Sequence, residues 1–178
     1  TALSKNVLPF LLVQPLVCAL PFTEQDSGGT RAFQLLSPDD LFAAGYREAS
    51  RWFHEAERLW NAHRTDRTSS QNTSLNQWLD YQSKLTSQDN RTRYLVIYTA
   101  SSTDASATVV DRQELPLTFI AESKTYWCSF TDRNEAHYIA AYLNSYWANH
   151  TIKDFQSRGL FGPRDIHKTI LKLPFPGY

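Results

Sequence analysis

The sequence contains no methionine and only two cysteines, and it carries no excess charge of either sign. Because a complete natural chain begins with methionine, we expect these 178 residues to be part of a longer protein. The 18 Lys and Arg residues are balanced by 18 Asp and Glu residues. A net charge of zero excludes a polycation that binds nucleic acid over its whole surface, so any such surface has to be local.

The two cysteines, Cys18 and Cys128, lie far apart in the sequence and form no Cys-x-x-Cys pair. This spacing argues against a disulfide scaffold and against a structural zinc site. Two free thiols are typical of a protein in the reducing cytoplasm, which is the location that we expect.

Long hydrophobic runs are also missing. The most apolar stretch, residues 7–20, is shorter than the ~20 residues that span a bilayer, and Pro9 and Pro15 interrupt it. We therefore expect extended, buried chain there and no membrane contact. The length and the hydrophobic fraction of 42% suit one domain with a single core.

Hydrophobic residues at three- and four-residue spacing predict helices. These helices begin at Ser37, at Tyr46, near Leu75 and at Asp132. The helix over residues 46–60 is the most clearly amphipathic, with aromatic side chains along one face. At Asp132, a Glu three residues later has the position of a capping-box partner.

Four other segments are rich in β-branched and aromatic residues and have the length of strands. They are residues 94–98, 107–110, 117–120 and 125–130. The sequence therefore predicts an α+β (mixed α/β) fold, in which a small, mainly antiparallel sheet packs with several amphipathic helices. We expect residues 1–36 to be an extended lead-in from an upstream domain and residues 37–178 to form a single domain.

Two functional alternatives depend on residues in the middle of the chain. Asp111, Glu122 and Lys124 have the residue types with which many nucleases hold a divalent metal ion and activate water. That chemistry requires a hairpin that brings the two carboxylates together. The aromatic face over residues 46–60 could instead bind a partner protein, although core packing explains such a face more simply.

The strongest functional signal lies near the carboxyl end. Residues 149–178 contain five Lys and Arg residues against two Asp residues, in a chain with no net charge. Arg158 and Arg164 carry the planar fork that matches a guanine edge or a phosphate. The glycines between them let the backbone approach a ligand closely, and a helix starting at Pro163 would offer N–H groups to an anion.

Three segments in the carboxyl-terminal part of the chain resemble the TaqI-like C-terminal specificity domain, the target-recognition portion of bacterial DNA adenine methyltransferases, and weaker matches within residues 8–10, 49–60 and 79–85 extend the resemblance over most of the chain. They are Ala141-Tyr142-Leu143-Asn144-Ser145, the block Phe155-Gln156-Ser157-Arg158-Gly159-Leu160-Phe161-Gly162-Pro163-Arg164-Asp165-Ile166-His167-Lys168, and Leu171-Lys172-Leu173-Pro174-Phe175-Pro176. The same portion occurs in stand-alone methyltransferases and in fused type II restriction-modification enzymes.

The resemblance implies a domain that recognises double-stranded DNA. An upstream methyltransferase domain of the same polypeptide would bind S-adenosylmethionine and transfer the methyl group. The family's Gly-rich cofactor turn and its Asn/Asp-Pro-Pro-aromatic tetrad are absent from the sequence, so we assign this chain no catalytic residue, cofactor or metal. The predicted DNA-binding residues are Arg91, Arg93, Lys124, Lys153, Arg158, Gly159, Phe161, Gly162, Arg164, His167 and Lys168, with base contacts expected from the arginines and phosphate contacts from the lysines, Lys172 included.

Overall fold

The computed structural model describes residues 1–27, 30–65, 74–88, 91–100, 102–122, 124–159, 162–164, 166–174 and 177. Helices and small antiparallel sheets make up these residues, which confirms the predicted α+β class. The chain divides into two compact units. The first unit combines Thr1–Cys18 with Asn90–Tyr178, and the second unit is Ala19–Asp89. The domain boundary predicted at residue 36 falls within the second unit.

The strands in chain order are β1 (Val7–Leu8), β2 (Leu11–Leu12), β3 (Phe22–Ser27), β4 (Thr30–Leu35), β5 (Tyr94–Thr99), β6 (Ala107–Asp111), β7 (Thr125–Phe130), β8 (Ser157–Gly159) and β9 (Gly162–Arg164). The α-helices are α1 (Pro38–Ala43), α2 (Arg47–His63), α3 (Leu75–Leu79), α4 (Arg133–Asn144), α5 (Tyr146–Ile152) and α6 (Ile166–Thr169). Short 3-10 helices lie at Ser4–Asn6, Tyr81–Ser83, Arg112–Glu114, Lys153–Phe155 and Ile170–Lys172.

A three-stranded antiparallel sheet forms the centre of the first unit. Strands β6 and β7 pair with β5 on either side, so the strand order is β6-β5-β7. All six residues of β5 are buried, which explains why its apolar residues run continuously instead of alternating. The strands predicted at residues 94–98, 107–110 and 125–130 are confirmed.

Helices α4 and α5 cover one face of this sheet. Val96 of β5 belongs to a buried cluster to which α4 contributes Leu143 and α5 contributes Ile152. Asp132 caps α4 as predicted, since its side chain accepts a hydrogen bond from the backbone N–H of Glu135 at 2.7 Å.

Residues 115–121 and the N-terminal segment cover the opposite face. Ile97 of β5 shares a second buried cluster with Val7 and Phe119. The strand predicted at residues 117–120 is wrong, because this chain lies over the face of the sheet, where no strand edge is available for pairing. Phe119 is buried against the sheet, whereas Leu117 is 59% exposed.

Most of the apolar stretch at residues 7–20 is exposed. The chain is extended there, as expected, and Val7 is buried, but Phe10 is 60% exposed and Val17 is 81% exposed. The prediction of a buried segment is therefore wrong. The β1–β2 hairpin turns only one side toward the sheet, so alternate side chains point outward.

The second unit begins with a hairpin and continues with helices α1 to α3. Ser37 caps α1 by accepting from the backbone N–H of Asp40 at 3.1 Å, and Pro38 takes the first helical position, as predicted. Gly45 has a φ of +87°, which favours glycine, and it separates α1 from α2. Two predicted connections include residues outside the described ranges, namely the turn at residues 26–29 and the polar loop at residues 65–74.

The aromatic face of α2 is not the core that its periodicity predicts. Phe53 is buried, but Trp52 is 62% exposed and Leu59 is 44% exposed. The polar face is as expected for a solvated helix, with Arg58 donating to Glu55 at 2.6 and 2.8 Å. Core packing therefore accounts for only part of this aromatic face.

Candidate nucleic-acid interface

The glycine-containing block that carries the two predicted base-contacting arginines is a hairpin. Strands β8 and β9 pair so that Arg158 lies opposite Pro163, and Arg164 lies opposite Ser157. The helix predicted from Pro163 is wrong, since this residue is part of β9 and α6 begins at Ile166. A two-residue connection flanked by glycines favours a hairpin, and proline is tolerated because both strands of a two-stranded sheet are edges.

The structure does not describe the side chains of several predicted DNA-binding residues in this block. Phe161 lies outside the described residues. The backbone of the hairpin and of α6 is described, whereas the side chains of Arg158, Arg164 and His167 are not. Gly159 and Gly162 pair with each other beside the connection. The contacts of all these residues with DNA therefore remain predictions.

The segment that follows the hairpin is fixed to the first unit by two isoleucines. Ile166 and Ile170 are four residues apart, and both are fully buried in the cluster beneath the sheet. Lys168 and Lys172, also four residues apart, are exposed. Helical spacing thus separates an inner apolar side from an outer cationic side.

The end of this segment is tied to α4. The hydroxyl of Tyr142 donates to the backbone oxygen of Pro174 at 3.0 Å, and Leu173 packs against the buried cluster. Together with Ile166 and Ile170, these contacts hold residues 166–174 against the first unit. The two exposed lysines are therefore presented from a fixed backbone.

Two further predicted lysines are exposed in the first unit. Lys153 lies 3.5 Å from a carboxylate oxygen of Asp104, and each of these side chains is about half exposed. Such a surface pair contributes only about 0–1 kcal/mol, so a phosphate could take the place of Asp104. The backbone oxygen of Lys124 accepts a hydrogen bond from Ser4 at 3.2 Å, which fixes its position but leaves the amine exposed.

Arg93, a predicted base-contacting residue, is bound to Asp111. Its Nε donates to Oδ1 and Oδ2 of Asp111 at 2.9 and 3.0 Å, and its Nη2 donates to Oδ2 at 2.7 Å. These hydrogen bonds hold the pKa of Asp111 below its ordinary value, and the backbone N–H of Gln113 adds to the effect. The guanidinium fork that a guanine would need is therefore already occupied by a carboxylate.

Three arginines line one cleft of about 330 Å³ beside this pair. Arg91 is exposed, Arg93 is held by Asp111, and Arg112 is half-buried and donates to the backbone oxygen of Thr92 at 3.0 Å. Sequence reasoning missed Arg112. The pairing of β5 with β6 places Arg112 opposite Arg93, and the backbone N–H of Arg112 donates to the backbone oxygen of Arg93 at 3.0 Å. This pairing is the feature that would have pointed to Arg112.

The Leu143-Asn144-Ser145 motif has a structural explanation. Leu143 is fully buried, and the side chain of Asn144 both accepts from and donates to the backbone of Ala107, at 2.8 Å in each case. Ser145 ends α4 and caps α5 by accepting from the backbone N–H of Ala148 at 3.1 Å. The residues of this motif therefore attach α4 to strand β6 and join α4 to α5.

The three residues of the nuclease alternative do not meet. Asp111 pairs with Tyr94 at one end of β5, whereas Lys124 directly precedes Thr125, which pairs with Thr99 at the other end. Five residues of strand separate the two positions by about 17 Å. The predicted hairpin is not formed, because β6 and β7 lie on opposite sides of β5.

Among the described residues, no group of three or more His, Cys, Asp or Glu side chains is arranged to hold a metal ion. In the same part of the chain no helix combines the length and the apolar character needed to cross a bilayer. No protein-family model, curated protein or solved structure matches the chain.

Proposed function

We propose that the chain is a DNA-recognition domain of the kind that the sequence resembles, the target-recognition portion of a DNA adenine methyltransferase or a fused restriction-modification enzyme. It would bind double-stranded DNA in the cytoplasm. A domain upstream in the same polypeptide would bind S-adenosylmethionine and transfer the methyl group. This chain would contribute affinity and sequence selectivity, with no catalytic step of its own.

The observation that carries the proposal is the amphipathic arrangement of residues 166–174. Ile166 and Ile170 are buried while Lys168 and Lys172 are exposed on the same short segment. Cations on a fixed backbone lose less conformational freedom on meeting a phosphate than cations on a mobile tail. Lysine contacts of this kind position a protein on the duplex without reading its sequence.

Selectivity would come from arginines in the same unit. Arg158 and Arg164 belong to the hairpin that precedes the lysine-bearing segment (residues 166–174) in the sequence, and the arginine-lined cleft is a second feature of the same unit. Arginine is the residue that contacts guanine edges most often, through two parallel hydrogen bonds. Because the guanidinium of Arg93 is bound to Asp111, we propose that Arg93 shapes the cleft and does not contact bases.

The test is selection of binding sites from a pool of random duplexes. The chain is incubated with the pool at low salt, bound duplexes are recovered and amplified over several rounds, and the survivors are sequenced. We expect a shared short motif to be enriched. Substitution of Arg158 by alanine should relax one position of that motif, with a cost of about 1–3 kcal/mol for a bidentate guanine contact.

A control variant distinguishes base contacts from general loss of charge. Arg133 is exposed at the start of α4, in the same unit but outside the predicted set, so Arg133→Ala should leave the selected motif unchanged. Recovery of duplexes with no common motif, or with the same motif in Arg158→Ala and Arg164→Ala, would overturn the assignment of sequence recognition to this chain.

A further inference from the structure

The two outer edges of the central sheet in the first unit differ in their coverage. At the β6 edge, the backbone oxygen of Ala107 accepts from the backbone N–H of Phe10 and from the side chain of Asn144, and its N–H donates to Asn144, all at 2.8 Å. At the other edge, β7 pairs with β5 on its inner side, and no other strand in the described part of the chain pairs with its outer side. The sheet therefore has one covered edge and, among the described residues, one open edge.

The pairing of β5 shows which residues of β7 face the open edge. The backbone N–H of Thr99 donates to the backbone oxygen of Ser106 at 3.1 Å, so position 99 bonds on the β6 side. Backbone groups of successive residues point to opposite sides of a strand, so position 98 bonds to β7, where it lies opposite Tyr126. By the same alternation, Trp127 and Ser129 turn their N–H and C=O groups toward the open edge.

Strand β7 lacks the features that usually prevent strands of different molecules from pairing. Such features are charged side chains, prolines, bulges and very short strands. The residues of Thr125–Phe130 include no charge and no proline, and their register with β5 runs without a bulge. The side chains from Tyr126 to Phe130 are only half-buried. An added strand would pair the open backbone groups and cover these side chains.

Strand β7 is also complementary to itself in the antiparallel direction. When two copies are related by a two-fold axis at Cys128, Trp127 of one copy lies opposite Ser129 of the other. Both residues face the open edge, so each such pair exchanges both of its N–H to O=C hydrogen bonds. The pair occurs on both sides of the axis, because a two-fold interface uses the same residues of the two copies.

The side chains fit the same register. Tyr126 lies opposite Phe130 of the second copy, and aromatic cross-strand pairs stabilise antiparallel sheets. Beyond the strand ends, the exposed Lys124 lies opposite the exposed Asp132 of the second copy, so opposite charges meet. This complementarity favours a second copy of the chain over an unrelated strand as the occupant of the edge.

We propose that two copies of this chain associate through the open edge of β7, with the strands antiparallel and Cys128 on the two-fold axis. The two three-stranded sheets then form one continuous sheet across the dimer. The inference goes beyond the proposed function and does not depend on it, because it concerns association of the chain in the absence of DNA.

The first test is sedimentation equilibrium of the pure chain. Strand pairing buries a small interface, so we expect the average mass to rise from one chain toward two between about 10 µM and about 1 mM. Ser129→Pro removes an outward N–H that the pairing with β5 does not use, and it should weaken association by about tenfold or more. The matched control is Ser129→Ala, which keeps this N–H and should associate like the wild type.

The second test measures hydrogen exchange of single amides in the wild-type chain, so it decides the matter even if Ser129→Pro fails to fold. The amides of Trp127 and Ser129 should exchange about tenfold or more slowly at about 1 mM than at about 10 µM, because they donate to the second copy in the dimer. The amide of Asp39, in the first turn of α1, has no acceptor within its helix and should exchange at the same rate at both concentrations.

Two kinds of result would overturn the proposal. A wild-type chain that stays monomeric up to about 1 mM contradicts it, and this is the result expected if the edge binds a strand of another protein. Equal association of the wild type and a folded Ser129→Pro variant, or exchange at Trp127 and Ser129 that does not depend on concentration, would place the contact on another surface. Neither experiment contains DNA, so neither result bears on the proposed function.

Discussion

The side chain of Asn144 binds the backbone of Ala107 through two hydrogen bonds of 2.8 Å, one accepted and one donated. An amide side chain thus pairs with β6 much as a neighbouring strand would. We expect Asn144→Ala to lower the free energy of unfolding of the first unit by about 1–3 kcal/mol, since it leaves the buried N–H of Ala107 without its acceptor. Hydrogen exchange of the β5 amides measures this change within the unit.

The control for that variant lies on the same helix. Asn134 is exposed near the start of α4, and Asn134→Ala should change the same exchange rates by no more than about 0.5 kcal/mol in free-energy terms. Equal protection of β5 in both variants would show that the Asn144 pairing contributes nothing to the fold.

The attachment of the lysine-bearing segment gives a second prediction. Ile170 is fully buried, so Ile170→Ala should destabilise the first unit by about 2–5 kcal/mol through lost burial and a residual cavity. Lys172→Ala on the exposed side should stay within about 0.5 kcal/mol of the wild type. Urea unfolding followed by exchange of the β5 amides tests both. Similar stability of the two variants would mean that the segment is not docked as described.

The Arg93–Asp111 ion pair predicts a dependence of stability on pH. The folded state lowers the pKa of Asp111 from its ordinary value of 3.8, so its stabilising contribution is present above that value and is lost as the pH falls through the lower folded pKa. Asp111→Asn should therefore be less stable than the wild type at about pH 6, and the difference should shrink toward about pH 2. A stability difference that is independent of pH across this range would contradict the ion pair.

The two cysteines should differ in reactivity. Burial raises the pKa of Cys128 to about 12, so about one thiol in ten thousand is ionised at pH 8. Cys18 is exposed. We expect a chromogenic disulfide reagent to modify one thiol rapidly in the folded chain and a second only after denaturation. Rapid modification of Cys128 in the folded chain would show that β7 is more open than the structure indicates.

Local patterns were enough to predict much of the fold. Strand β5 and helix α4 were both evident from the sequence, because a run of β-branched and aromatic residues and a capped amphipathic repeat are each signals within one element. The segment at residues 117–120 has the same local pattern as a strand, and only the three-dimensional position of Phe119 over the sheet shows that it covers a face instead.

The candidate site was harder to predict, because it depends on pairings between distant residues. Arg93 and Asp111 were assigned to two different functions from sequence, yet they bind each other across 18 positions through the register of β5 and β6. The same register brings Arg112 into the cleft. Asn144 has its partner 37 positions earlier, so no short-range pattern could reveal its role.

The most direct test of the account is the salt dependence of duplex DNA binding by the Lys168→Gln/Lys172→Gln double variant. If both lysines contact phosphates, the slope of log affinity against log salt should be shallower than that of the wild type by about 1.8, and low-salt affinity should fall. Lys5→Gln, an exposed charge in the same unit, should leave the slope unchanged. A double variant with the wild-type slope and affinity would contradict the proposal that this chain grips DNA through its carboxyl-terminal segment.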